Sequence, residues 1–184
     1  AETRMRDFGI GKTINVIKDD LPLTLGPFVI HFIKVTHSVP DARHLAIETK
    51  EGVIYHGADF KFDLTPVDNV RPEFGKMAAW GEKGVLAVLS DSLRSEVSGF
   101  SLSESMLADT FEREIRGTRG RFIVTTMSSN VHRIQTAVNV AVGHNRKVAF
   151  FVRSVEQNVR EATRLGFLKI PDRLVVDKRR ARDI

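Results

Sequence analysis

"FVIHFIKVTHSVPDARHLAIETKEGVIYHGADFKFD", residues 28–63, decides how the first part of the chain folds. Three runs in it, 28–36, 44–49 and 52–58, are rich in β-branched and aromatic residues, with short polar links between them. Runs of that kind, bounded by Pro, Asp and Gly, read as neighbouring strands. In the first run Phe28, Ile30, Phe32 and Lys34 share one face, and Val29, His31, Ile33 and Val35 share the other. Both faces are mostly apolar, which predicts a strand buried on both sides, as in a sandwich. The stretch also holds four of the six histidines: His31, His37, His44 and His56. His37 follows the first run directly, and Asp59 follows the third. At strand ends the two read either as metal ligands or as an ordinary histidine and a turn aspartate.

Upstream, "TINVI" (13–17) predicts one more strand. Downstream of Pro72 the pattern changes. Compact apolar runs at 85–90, 121–126 and 147–152 lack polar alternation, and segments of helical period occupy 103–117, 130–143 and 154–166. Strand and helix in alternation imply right-handed crossovers and a parallel sheet. The expected layout is a β-rich part to about residue 93 followed by an α/β part. Ser101 with Glu104, and Ser154 with Gln157, have capping-box spacing. Gly143 and Gly166 stand where left-handed helix caps belong.

Composition narrows the chemistry. The 184 residues carry a formal net charge of +5 and are 42% hydrophobic, which suits a folded protein and favours acidic partners such as nucleic acid. Without cysteine there are no disulfides and no thiolate zinc sites, so a metal would need His and carboxylate ligands. This composition fits a reducing, cytoplasmic setting. No apolar run approaches the roughly 20 residues of a membrane helix, and the charged start "AETRMRDFG" is no signal peptide. Four of the last seven residues are basic, which reads as a nucleic-acid-binding tail or as a solvated helix start.

Asp91 ends the run 85–90, and His132 lies one turn into the helix that follows 121–126. In an open parallel sheet, strand ends and the helix starts behind them face one crevice, where ligands bind. In "TTMSSNVHR" (125–133), Ser128, Ser129 and Asn130 offer donors at a helix N-terminus, where the dipole favours anions, and Arg133 adds charge. Arg153 and Ser154, between a strand and a helix, form a second such pair. Each group reads equally well as a helix cap with nothing bound.

Taken together, "VTHSVPDARHLAIETKEGVIYHGADFKFDLTPVD", "LSDSLRSEVSGFSLSE", "TTMSSNVHRIQ" and "VRSVEQNVREATRLGFLKIP" resemble, in order and spacing, the ribonuclease J family. These are β-CASP ribonucleases of the metallo-β-lactamase superfamily, and the resemblance runs from about residue 22 to about 177. It implies an α/β protein in two parts. Residues 1–93 would be the second half of a metallo-β-lactamase αββα sandwich, and 94–184 an incomplete β-CASP domain with a mainly parallel sheet. The implied activity is hydrolysis of RNA phosphodiesters, 5′ to 3′ and internal, with two zinc ions per site. His37 resembles a ligand to one zinc and Asp59 the aspartate that bridges both. Asp91 and His132 resemble catalytic residues of the β-CASP motifs. Ser128, Ser129, Asn130, Arg133, Arg153 and Ser154 match positions that line the RNA path. The family works in the cytoplasm, without a membrane, and often as a homo-oligomer.

The chain departs from the family pattern in four ways. The His-x-His-x-Asp-His cluster is absent, so the chain is expected to be the middle of an enzyme, inactive alone. "GADFKFD" replaces the usual "TGDFKFD", a change expected to matter little. Leu93 stands where Thr is common, and Val152 where Gly is usual.

Overall fold

The fold is that of a computed structural model, which describes residue 5 and residues 8–11, 14–17 and 21–182. Its centre is a five-stranded sheet in the sequence order β1 (Leu23–Leu25), β2 (Phe28–Lys34), β3 (Arg43–Glu48), β4 (Val53–His56) and β5 (Ala87–Leu89). The first four strands form an antiparallel meander, and β5 joins β4 in parallel. The parallel join requires a crossover, and α1 (Phe74–Lys83) supplies it.

Strand register explains which side α1 covers. Ile33 pairs with His44, Ala46 with both His31 and Tyr55, and Glu48 with Val53, so these residues share one face. Ile33 and Ala46 are fully buried there and Val53 nearly so, beneath Met77 and Trp80 of α1. Lys83 lies 4.5 Å over the Trp80 ring and also pairs with Glu48 of β3 at 2.5 Å, holding the helix to the sheet. The opposite face, with Ile30, Phe32, Leu45, Ile47 and Ile54, is only half-buried. Among the described residues one layer packs on the sheet, so the expected burial of β2 on both sides holds for one face.

The rest of the chain is built around α2 (Met106–Arg116), α3 (Val131–Gly143) and α4 (Arg153–Arg164). Val131, Ile134 and Val138 recur at steps of three and four on α3. They form a second core with Ala162 of α4 and Leu168, which is 1% exposed. The molecule is therefore an α/β fold with a mixed sheet and four α-helices among the described residues.

Several expectations change here. Residues 121–126 and 147–152 form neither helix nor sheet, and the parallel bridge Val148↔Val175 is the sole pairing in this part among the described residues. An apolar β-branched run favours extension, but a strand needs a partner ladder as well. The run at 13–17 begins outside the described residues at 13, and 14–17 are not a strand. Ser105, not Ser101, precedes α2, and Glu104 bonds Arg133 instead of closing a capping box. Ser154 lies inside α4, whose N-cap is Val152 without a side-chain bond. Gly166 has the expected positive φ of 81°, but Asn145, at 51°, takes the left-handed position after α3 rather than Gly143. The basic tail contains the short 3-10 turn Arg180–Arg182, with Lys178 paired to Glu156 at 2.7 Å.

Candidate metal and nucleic-acid site

β2 and β4 both run antiparallel to β3, and β5 is parallel to β4, so the C-terminal ends of β2, β4 and β5 lie at one edge of the sheet. His37 comes three residues after β2, Asp59 three after β4 and Asp91 two after β5. The sheet thus collects residues from distant stretches of sequence. His37 Nε2 and Asp59 Oδ2 are 3.9 Å apart, with the Asp59 side chain 79% exposed. Asp91 instead accepts the N–H of Leu93 at 2.9 Å in its own turn. Among the described residues no three His, Asp or Glu side chains gather closely enough to hold a metal ion.

The backbone at this edge is close-set. Gly57 N–H donates to the Leu89 carbonyl at 2.7 Å, and a Cβ on Gly57 would meet that oxygen at 3.2 Å. Ala58 has φ of 45°, a left-handed conformation that costs a non-glycine residue about 1 kcal/mol. Gly57 thus suits a close approach that a side chain would crowd, and Ala58 takes a left-handed conformation that glycine adopts more readily.

The loop after Asp59 ties the sheet to the helices. Thr36 donates its hydroxyl to the Lys61 carbonyl and accepts the Asp63 N–H at 3.0 Å. Asp63 is 5% exposed and accepts three hydrogen bonds: from the Thr65 N–H, the Ser103 hydroxyl and the Glu104 N–H, at 2.9–3.0 Å. Burial works to raise its carboxyl pKa. The Ser103 hydroxyl and the two amides, with nearby Lys61, outweigh that and hold it below the usual carboxylate range. Glu104 in turn takes a two-pronged bond from Arg133, at 2.8 and 3.2 Å, and lies 3.5 Å from Lys61. Further along the loop, Asp68 lies 3.7 Å from His132 Nε2.

The residues expected to meet RNA divide into two groups. Asn130 is buried and its side chain accepts the Arg133 N–H at 3.0 Å, a helix cap of the ordinary kind. Arg133 is committed to Glu104, and the Ser128 carbonyl and hydroxyl accept from Asn158 of α4 at 2.9 and 3.2 Å. Ser129, Arg153 and Ser154 are exposed. The Asn158 bond sets the start of α3 against α4. Sequence reasoning missed Asp63, Asp68 and Glu104. The second aspartate of "DFKFD" was the available signal for Asp63; nothing local in the sequence marks Glu104 as a partner of Arg133.

His44, behind this edge, gives a pH-dependent test of the fold. It is 3% exposed, its Nδ1 lies 3.0 Å from the Tyr55 hydroxyl, and its ring stands edge-on to Phe60. Burial, and then the charge of nearby His56, lower its pKa. The unfolded chain therefore binds the proton more readily. The stability contributed by neutral His44 is complete above the unfolded value of about 6.5 and is lost as pH falls below it. Urea midpoints are expected to drop between about pH 7.5 and pH 5, and His44→Gln should flatten that slope.

Residues 119–184 match the family described as "Ribonuclease J, beta-CASP domain". Ribonuclease J of Helicobacter pylori is 42% identical over 156 residues, 85% of this chain and 22% of that protein. The Synechocystis ribonuclease J is 43% identical over 157 residues, 85% of this chain and 24% of that one. The Mycobacterium tuberculosis protein is 36% identical over 174 residues, 95% of this chain and 31% of its own length. The chain thus spans between a fifth and a third of the length of these relatives. A crystal structure of a protein of unknown function from Enterococcus faecalis superposes with a TM-score of 0.62 over 92% of this chain and 42% of that one. At 13% identity it bears on the fold alone. Residues 119–184 thus match the ribonuclease J β-CASP family, and the chain is similar to ribonuclease J proteins, at 36–43% identity, over most of its own length.

Proposed function

We propose that this chain is a segment of a zinc-dependent ribonuclease that hydrolyses RNA phosphodiesters, and that alone it binds RNA without cleaving it. On this reading residues 1–93 belong to a metallo-β-lactamase-like domain and 94–184 to a β-CASP domain of a cytoplasmic, oligomeric enzyme. The observation that carries it is the pairing of His37 with Asp59 at 3.9 Å, on the edge that also receives Asp91. An imidazole nitrogen and a carboxylate oxygen are zinc donors. Their separation is within the roughly 4 Å that two ligands at about 2.0–2.2 Å from one ion can span. The pair therefore fits part of a zinc site. When bound, such ions lower the pKa of a water and offset the charge that develops on phosphate.

The chain's own residues have separable tasks. His37 and Asp59 would hold the metal, and Asp91 flanks them from β5. Asp63 and Glu104 tie the loop carrying Asp59 to the helix carrying His132 and Arg133. Ser129, Arg153 and Ser154 are open to RNA phosphate. With two donors an ion would be held weakly. Native mass spectrometry after exchange into metal-free buffer is expected to find less than one zinc per chain. Anisotropy should still register salt-dependent binding of single-stranded RNA. Two tightly held zinc ions, or RNA cleavage by the chain alone, would overturn the reading.

A further inference from the structure

The charge of the molecule is concentrated far from that edge. Glu104 meets Arg133 where α2 and α3 begin, and Glu112 meets His144 at 2.7 Å where α3 ends, so the two helices run side by side in the same direction. "REIRGTRGR" (113–121), leaving α2, holds four arginines. Arg146 donates to the carbonyls of Thr118 and Gly120, which brings the end of α3 onto this stretch. Lys147 donates to the Arg173 carbonyl at 2.7 Å, which adds a third segment. Residues 112–121, 144–147 and 172–173 together carry seven Lys and Arg against three Asp and Glu. That is a net of four positive charges in a chain whose total is +5, so nearly all of the excess sits here.

Helix dipoles account for part of this, since cations are favoured at helix C-termini. They do not account for Arg119 and Arg173, which lie beyond both helices and have no carboxylate partner among the described residues. Arg116, Arg119 and Arg173 are all exposed, and Arg146 and Lys147 are held by carbonyls, which leave their charge uncompensated. The one large apolar residue within these stretches, Ile115, is buried, and the exposed Ile123, Val142 and Val175 lie outside them. A protein partner would need apolar anchors, whereas a polyanion needs guanidinium forks and little else. The 13 residues of α3 span about 20 Å, which separates this patch from His132.

We infer that this arginine-rich end of α2 and α3 is a second RNA-binding surface. It holds the backbone of a single strand at a distance from the candidate metal edge. The inference rests on the RNA reading proposed above. Its test uses the full 184-residue chain, a labelled single-stranded RNA of about 16 nucleotides, and anisotropy across a salt series. The variant Arg116→Gln, Arg119→Gln, Arg173→Gln alters three exposed side chains and should keep the wild-type unfolding midpoint. At about 0.1 M salt its Kd is expected to rise about tenfold or more. The slope of log affinity against log salt should fall by about 2, roughly 0.7 for each phosphate no longer neutralised. Arg153→Gln, on the crevice side, should lower the slope by less than about 1.

If the triple variant keeps the wild-type Kd and slope while Arg153→Gln loses affinity, the surface is not an RNA site and the proposed function stands. If the triple variant loses affinity and Arg153→Gln does not, the surface stands and the crevice assignment falls. A wild-type chain that binds no RNA overturns both. Tighter binding of poly-glutamate than of RNA, lost in the triple variant, would assign the patch to an acidic protein and overturn the inference.

Discussion

Asp59→Ala, made in a full-length ribonuclease J that carries this segment, is expected to lower RNA hydrolysis by about a thousandfold or more. Unfolding measured without metal should stay within about 0.5 kcal/mol of wild type. The first expectation follows from the proposed function: loss of several kcal/mol of charge stabilisation at the phosphate is about three powers of ten in rate. The second follows from geometry. Asp59 is 79% exposed, and its one ionisable neighbour within 4 Å among the described residues, His37, lies 3.9 Å away, too far and too wet to add much stability. Parallel measurements of cleavage rate and metal-free chemical unfolding check both halves. Retention of the full rate would remove Asp59 from the site, and a large loss of stability would make it a structural residue.

Four residues later the same motif should behave in the opposite way. Asp63→Ala is expected to destabilise the 184-residue chain by about 3 kcal/mol in urea unfolding. Removing this carboxylate strips partners from the Thr65 and Glu104 amides and the Ser103 hydroxyl in a place water scarcely reaches. Asp63→Asn should recover little, because the Thr65 amide points at one carboxylate oxygen and the other two donors at the second, so the amide NH2 must face a donor. The pH dependence follows from the depressed pKa. The contribution is present above the unfolded value of about 3.9 and is lost as pH falls through the lower folded value. Wild type and Asp63→Ala should therefore converge in stability below about pH 4. A constant gap across that range would show that the bonds to the ionised carboxylate are not what Asp63 contributes.

The two aspartates show what could be read in advance and what could not. β2, β3 and β4 were legible because their apolar runs carry the period of a strand and end in turn residues: the expected 28–36, 44–49 and 52–58 enclose or nearly match the observed strands. The edge residues His37, Asp59 and Asp91 were legible for the same reason, since a strand end can be located from its strand. α1 was not legible. "FGKMAAWGEK" contains two glycines, and its N-cap residue Glu73 makes no side-chain cap bond. Its apolar side is little more than Met77 and Trp80, and tertiary packing on Ile33, Ala46 and Val53 makes it a helix. "RFIVTT" erred the other way, because propensity to extend does not reveal whether a neighbour is there to pair. Glu104 illustrates a third limit. Its partners, Lys61 and Arg133, stand 43 residues before it and 29 after it, and no local pattern connects them.

The parallel join of β5 to β4 also bears on the order in which the molecule assembles. β1 to β4 close through short connections, so their pairings are local and cheap in loop entropy. β5 is separated from β4 by the thirty residues 57–86, and its pairing must wait for that longer loop to close. Nonlocal pairing of this kind is slow compared with hairpin formation. The docking of α1 through Met77 and Trp80 shortens the remaining search. Asp91 rides on the strand that arrives last. The polar edge of the sheet is therefore a late product of folding, complete only after the hydrophobic face behind it has formed.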